Sequence, residues 1–146
     1  MSSEMGETMS DWFKLTAGVR QGGVLSPAFY SIYTDGLIQI LKSKGIGCYI
    51  RDNFAAAIFY ADDMALIAPS IKGLQALIDC CAEYCSAWDI CLNPKKTKNM
   101  AFGKKINSVA EVTLNGRGIE WVNQWKYLGV SLVSGKEFGC TVEERI

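Results

Sequence analysis

The sequence contains no histidine, only three prolines and no surplus charge of either sign: 15 Lys and Arg face 15 Asp and Glu across 146 residues. Without histidine, Ser-His and Cys-His nucleophile pairs and His-ligated metals are excluded, so any catalysis runs on carboxylates, lysines or a metal held by oxygen. No apolar run reaches the roughly 18 residues a membrane helix needs. The opening MSSEMGETMSDW carries Glu4, Glu7 and Asp11 where a signal peptide would be basic and then apolar. With neither signal peptide nor transmembrane segment, a soluble protein of the nucleus or cytoplasm is expected. What the chain does have is a 49% hydrophobic composition, which rules out disorder, and a length suited to about one globular domain with a core of its own.

Six cysteines without a secretory signal read as reduced thiols rather than as a disulfide framework. Cys80, Cys81, Cys85 and Cys91 suggest zinc at first sight. However, they share a segment with Ile71, Leu74, Leu77, Ile78 and Trp88 at helical spacing, with no CxxC pair and no histidine. Core packing is the expectation, since free cysteine is among the most buried residue types.

Phe13 to Val19 reads as a short strand, ended by Gly22-Gly23. Ser26-Pro27 signals a helix start, a capping hydroxyl followed by a ring suited to the first helical position. Phe29, Ile32, Tyr33, Leu37, Ile40 and Leu41 keep one apolar face to about Lys44, where Gly45 suits a left-handed cap. Phe54 to Tyr60 and Met64 to Ala68 are apolar runs separated by Ala61-Asp62-Asp63, the pattern of a buried hairpin with acids at its tip. Pro69-Ser70 then opens the cysteine-bearing helix, predicted to end near Leu92. Thr97 to Phe102, Val109 to Leu114, Ile119 to Val122 and Tyr127 to Val133 are strand-like, with a hairpin turn at Asn115-Gly116. The layout is α+β, with no repeats, no low-complexity tract and no evident second domain.

The adjacent acids are the most informative feature. Like charges side by side in apolar surroundings resist ionisation together, so solvent or a cation must neutralise them. Mg²⁺ is a natural partner: it takes oxygen ligands and is usually held by one or two carboxylates plus substrate phosphates. That chemistry is phosphoryl or nucleotidyl transfer, with two ions about 4 Å apart acting on the attacking and leaving oxygens. The bland alternative is an Asp-Asp turn that is simply solvated.

Tyr60-Ala61-Asp62-Asp63, flanked by FAAAIF and MALIA, resembles the YxDD hairpin of reverse transcriptases. Upstream, GVRQGGVLSPAFYSIYTDGL (Gly18 to Leu37) resembles another block of that family. Downstream, LNPKKTKNMAFG (Leu92 to Gly103) and WKYLGV (Trp125 to Val130) follow in the family's order. The resemblance covers most of residues 13 to 133. The Arg-Gln-Gly-Gly wording with alanine in YADD is most similar to the non-LTR, LINE-type retrotransposon enzymes. Group II intron enzymes, usually with Pro at the position of Arg20, stand nearest to those.

The resemblance implies a polymerase palm: an antiparallel sheet with a YADD hairpin packed on two helices, truncated on its N-terminal side. Residues 1–12 would be a tail, 13–133 a partial palm domain, and 134–146 a tail at the start of a missing thumb. It implies an RNA-directed DNA polymerase that joins a dNTP to a DNA primer on an RNA template with Mg²⁺ or Mn²⁺. Asp62 would be a catalytic metal ligand, with Asp63 in the same acidic cluster. Gln21, Gly22 and Gly23 would lie against template and incoming nucleotide together with Tyr60; a missing Cβ lets backbone approach a base or phosphate closely. Arg20 would pair with a phosphate, or is an ordinary surface cation. Lys96, beside Thr97, would face the triphosphate. Lys95, Lys98, Lys104 and Lys105 make that stretch basic, as a solvated charge run also would. Tyr127-Leu128-Gly129 would form the turn that grips the primer end, or a packed strand with a glycine bulge.

The family's further aspartate lies on a strand ahead of the Gly18 block. Only 17 residues precede Gly18 here, and their sole Asp, Asp11, lies in MSDWFKL, which resembles the segment after that strand. Two acids from one hairpin lack the bridging ligands that two ions need, so little or no activity is expected of the chain alone. Zero net charge predicts weak binding to nucleic acid. An unpaired sheet edge would favour self-association. The competing readings are a non-catalytic palm-fold binding or scaffold module and a metal-dependent phosphotransferase complete in itself.

Overall fold

A computed structural model describes residues 4, 5, 8, 9, 23–103, 110–136 and 139–142. The chain divides into two compact units, residues 1–36 and 37–146, where length alone suggested one. In the first, β1 (Glu4–Met5) pairs antiparallel with β2 (Thr8–Met9). The predicted strand over Phe13 to Val19 lies outside the described residues.

Helix α1 (Ser26–Ser43) starts and stops close to where the sequence places it. Its end is set by Gly45, whose φ of 65° lets its N–H turn back to the Lys42 carbonyl at 3.2 Å. The apolar face is only partly used. Leu37 and Leu41, one turn apart, are buried, whereas Phe29, Ile32, Tyr33 and Ile40 are exposed.

The second unit is built around α2 (Ile71–Ala87). Ser70 caps it, its side chain accepting from the Gly73 N–H at 3.1 Å. Two faces of this helix are covered. One packs Leu77, Cys80, Cys81 and Tyr84 against Leu37, Leu41 and Ala56; the other packs Ile78 against Val112, Leu114 and Ile119. Gln75 takes the place of a neighbouring strand for residue 113. Its Nε2 donates to the Thr113 carbonyl at 2.9 Å and its Oε1 accepts from the Thr113 N–H at 2.8 Å.

The helix ends at Ala87, not near Leu92, because Trp88 stacks on Tyr84 with centroids 5.7 Å apart and Asp89 adopts a φ of 53°. Chain reversal there returns the Ile90 N–H to the Cys85 carbonyl at 2.8 Å, and this leaves Cys91 exposed rather than in the core.

Among the described residues the strands form five separate antiparallel sheets rather than one. β3 (Tyr49–Ile50) pairs with β4 (Asn53–Phe54), and the cross-strand rings of Tyr49 and Phe54 meet edge to face at 5.5 Å. β5 (Ala57–Tyr60) pairs with β6 (Asp63–Leu66), so the predicted run from Phe54 to Tyr60 belongs to two hairpins. β7 (Thr113–Leu114) and β8 (Arg117–Gly118) flank the Asn115-Gly116 turn, whose φ values of 52° and 74° are those of a type I′ loop.

β9 (Gln124–Tyr127), β10 (Val130–Val133) and β11 (Gly139–Val142) make a three-stranded sheet, in the order β11-β10-β9. The predicted strand from Tyr127 to Val133 is therefore broken by a turn. Those predicted over Thr97 to Phe102 and Ile119 to Val122 reduce to one parallel bridge between Asn99 and Trp121. Each hairpin satisfies its own backbone locally, and short apolar runs carry no local information about which longer pairing to join.

Burial of the thiols has a chemical consequence. Burial, and then the Cys85 and Cys80 thiols, push the Cys81 thiol up to about 12 from its ordinary 9.0. The folded value lies above the unfolded one, so the stabilisation is fully present below about pH 9 and is lost as pH rises toward 12. Iodoacetamide at about pH 8 is expected to modify Cys91 and Cys140, which are exposed, and to spare Cys80, Cys81 and Cys85. Alkaline unfolding followed by circular dichroism is expected to fall within that window and to be shallower in Cys81→Ala. Rapid labelling of Cys81 in the native chain would contradict this.

Candidate active site

The acids are placed by the two-residue period of a strand. Along β5 and β6, Ala57, Phe59, Met64 and Leu66 pack against the helix core, while Ile58 and Tyr60 face outward. The register sets Tyr60 opposite Asp63 and Ile58 opposite Ala65, so Asp63 shares the outward face with both aromatic and aliphatic neighbours. The loop is therefore Ala61-Asp62 alone, one residue shorter than predicted, and Asp63 is the first residue of β6. Two-residue loops match the twist of their flanking strands, and Ala61 accommodates this one with a φ of 49°. A non-glycine residue in that region carries backbone strain, which persists only where surrounding pairing fixes it. Both acids are exposed, and Tyr60 is exposed beside them.

A second two-residue turn follows a strand whose last side chain reaches this hairpin. Leu128 and Gly129, with φ values of 49° and 81°, form the two-residue loop between β9 and β10, and Tyr127 pairs with Val130 across it. It is a type I′ turn, not a strand with a bulge. The Tyr127 hydroxyl donates to the Ile58 carbonyl at 3.5 Å. Burial, and then the Asp63 carboxylate, raise its phenol above the ordinary tyrosine range. Segments far apart in sequence are thus joined by the Tyr127 side chain, which reaches β5 from the strand ahead of the second turn.

Other predicted residues sit elsewhere or are not described. Arg20, Gln21, Gly22, Lys104 and Lys105 lie outside the described residues, and Gly23 precedes α1 in the first unit. Lys96 is exposed on the 93–97 turn. Asn93 builds that turn, accepting from the Lys95 N–H at 3.0 Å through Oδ1 and from the Thr97 hydroxyl at 2.9 Å through its carbonyl. Lys98 is engaged within the unit: its Nζ pairs with Glu120 at 2.5 Å and lies 6.0 Å from the centre of the Trp125 ring. Sequence reasoning missed the Tyr127–Ile58 contact and the Lys98–Glu120–Trp125 cluster. Neither has a local signal, because each joins segments more than twenty positions apart.

Among the described residues no group of three or more His, Cys, Asp or Glu could hold a metal ion. The exposed pair Asp62 and Asp63 still fits a hard divalent cation, which needs only one or two carboxylates when substrate phosphates complete its shell. No helix among the described residues is long and apolar enough to cross a membrane.

This α+β chain with its exposed acidic hairpin belongs to the reverse transcriptase (RNA-dependent DNA polymerase) family, which it matches over residues 4–132. Within that family it is similar to polymerases of non-LTR retrotransposons. The RNA-directed DNA polymerase from mobile element jockey of Drosophila melanogaster is 30% identical over 124 residues, 81% of this chain and 13% of the relative. A probable RNA-directed DNA polymerase from transposon BS of the same fly is 34% identical over 133 residues, 86% and 14% of the two chains. The Pol polyprotein from its type-2 retrotransposable element R2DM is 29% identical over 146 residues, 94% and 14%. The chain thus spans about one-seventh of the length of these relatives. No solved structure matches it.

Proposed function

We propose that residues 13–133 are palm sequence of an RNA-directed DNA polymerase, and that Asp62 and Asp63 are its metal-binding acids. The observation that carries this reading is the hairpin itself: two neighbouring carboxylates held in solvent while Ala57, Phe59, Met64 and Leu66 of the same strands pack, half-buried, against the core. A divalent cation, Mg²⁺ or Mn²⁺, would supply charge neutralisation at the attacking and leaving oxygens of nucleotidyl transfer.

The chain's own residues orient the reactants. Asp62 lies in the loop and Asp63 on the outward face of the strand that follows it, so both carboxylates are open to solvent at the tip of the hairpin. Tyr60, opposite Asp63, offers a flat apolar surface beside the acids for a sugar or base. Leu128 and Gly129 present an exposed turn to the primer end, with Gly129 leaving open space where a side chain would stand. Arg20, Gln21, Gly22 and Gly23 would line the template and the incoming dNTP, and Lys96 would meet its phosphates. The RNA template, DNA primer and dNTP are partners of the longer enzyme. Binding of nucleic acid by this chain alone is expected to be weak, given its zero net charge.

The test is a graft. Residues 4–132, placed in the jockey polymerase in exchange for the segment they match, are expected to support primer extension of oligo-dT on poly-rA with Mg²⁺ or Mn²⁺. The isolated chain is expected to give little or none. A folded, soluble chimaera with no incorporation would overturn the reading and favour a palm-fold scaffold.

A further inference from the structure

We propose that Tyr127 is a positioning residue whose hydroxyl pins the Leu128-Gly129 turn to the strand leading into the Ala61-Asp62 loop, so that the two turns move as one body. This rests on the reading of Asp62 and Asp63 as the cation-binding acids.

Three observations carry it. The first is the contact itself: the Tyr127 O–H reaches the Ile58 carbonyl at 3.5 Å across 69 positions of sequence. A carbonyl has two lone pairs, so Ile58 can accept this bond while remaining in the β5–β6 ladder.

The second is the anchoring of β9 at its other end. Trp125 lies under Lys98 Nζ, which is itself paired with Glu120, so the strand is held on both sides of exposed Lys126. A strand fixed at two points transmits displacement to the turn that follows it. The third is strain. Leu128 and Ala61 both hold φ near 49°, a conformation that bulky or β-carbon-bearing residues keep only where neighbouring contacts over-determine it. Tyr127 and Tyr60 are the residues immediately before these strained positions.

The reading separates Tyr127 from a residue that merely stabilises the fold. Losing the hydroxyl would uncouple the turns while leaving each hairpin intact, because the ladders of β5–β6 and β9–β10 do not use it.

Nuclear magnetic resonance of the full chain tests this. In the wild type, Mg²⁺ is expected to shift the amide resonances of Asp62 and Asp63 and, with them, those of Leu128 and Gly129. In Tyr127→Phe the response at the acids is expected to remain and that at Leu128 and Gly129 to fall several-fold. Replacing Tyr127 by 4-aminophenylalanine, which restores a donor, is expected to recover it. An undiminished response at Leu128 and Gly129 in Tyr127→Phe would overturn the proposal. If Mg²⁺ moves neither pair, the metal reading fails on its own. The tether is then judged without metal, by nuclear Overhauser contacts between the Tyr127 ring and Ile58: these are expected in the wild type and weakened in Tyr127→Phe, and their absence from the wild type would also sink it.

Discussion

Asp62→Ala in the grafted polymerase is expected to lower primer extension by about a hundredfold or more, the scale seen when one preorganised charge-stabilising group is removed from an active site. The same substitution in the isolated chain is expected to change its unfolding free energy, measured in urea, by no more than about 0.5 kcal/mol, since exposed positions away from core, caps and networks rarely contribute more. The pairing of a large catalytic loss with an unchanged fold is the informative outcome. Asp62 sits in a loop whose geometry comes from the strand register and from Ala61, not from its own carboxylate. Asp63→Ala is a different experiment, because Asp63 opens β6, faces Tyr60 and lies near Tyr127. A grafted Asp62→Ala enzyme that extends primers at the parental rate would remove Asp62 from the site.

Gly47→Ala is expected to destabilise residues 37–146 by roughly 2–6 kcal/mol, combining about 1–3 kcal/mol of backbone strain with about 1–3 kcal/mol of overpacking. That is much of the ~5–15 kcal/mol by which native domains exceed their unfolded states. Gly47 has a φ of 109°, and a Cβ built there would stand 2.2 Å from the Ala56 Cβ and 3.2 Å from the Ile67 carbonyl oxygen.

Neither neighbour can yield easily. Ala56 is fully buried, its carbonyl accepts from the Ile67 N–H at 2.7 Å, and the Ile67 carbonyl accepts from the Cys48 N–H at 3.2 Å. The loop after α1 is thereby sewn to the base of the acidic hairpin, so the damage is expected to reach the site. Gly45→Ala is the control: its φ is 65° but nothing stands within 4 Å of the added carbon, so only the left-handed backbone penalty of about 1 kcal/mol applies. Urea unfolding followed by tryptophan fluorescence measures both. Ala56→Gly is expected to recover part of the Gly47→Ala loss by removing the nearest clash. Equal midpoints for the two glycine variants would show that the close approach is not real.

Where the sequence succeeded, the signal was local. Gly45, Ser70 and the Asn115-Gly116 pair act through their own backbone or through atoms a few residues away, so a helix start, a helix stop and one hairpin are legible without knowledge of any partner. The acids were legible as an anomaly, two like charges between apolar runs. The ordered blocks around them carried the family, because short motifs keep their wording whatever the tertiary packing.

Tertiary structure decided the rest. At Leu128 the family resemblance points to a turn but the residue itself does not, since leucine disfavours a positive φ; the pairing of Tyr127 with Val130 across the loop holds it there. Periodicity carried the second helix on toward Leu92, but the stacking of Trp88 on Tyr84 and the left-handed Asp89 end it sooner. The outward aim of Asp63 follows from a one-residue choice of register, which would turn it toward the core if shifted. Composition and local wording settle which short pieces form and to which family they belong. The pairing of those pieces is a contest among long-range contacts, and only the folded chain can weigh them.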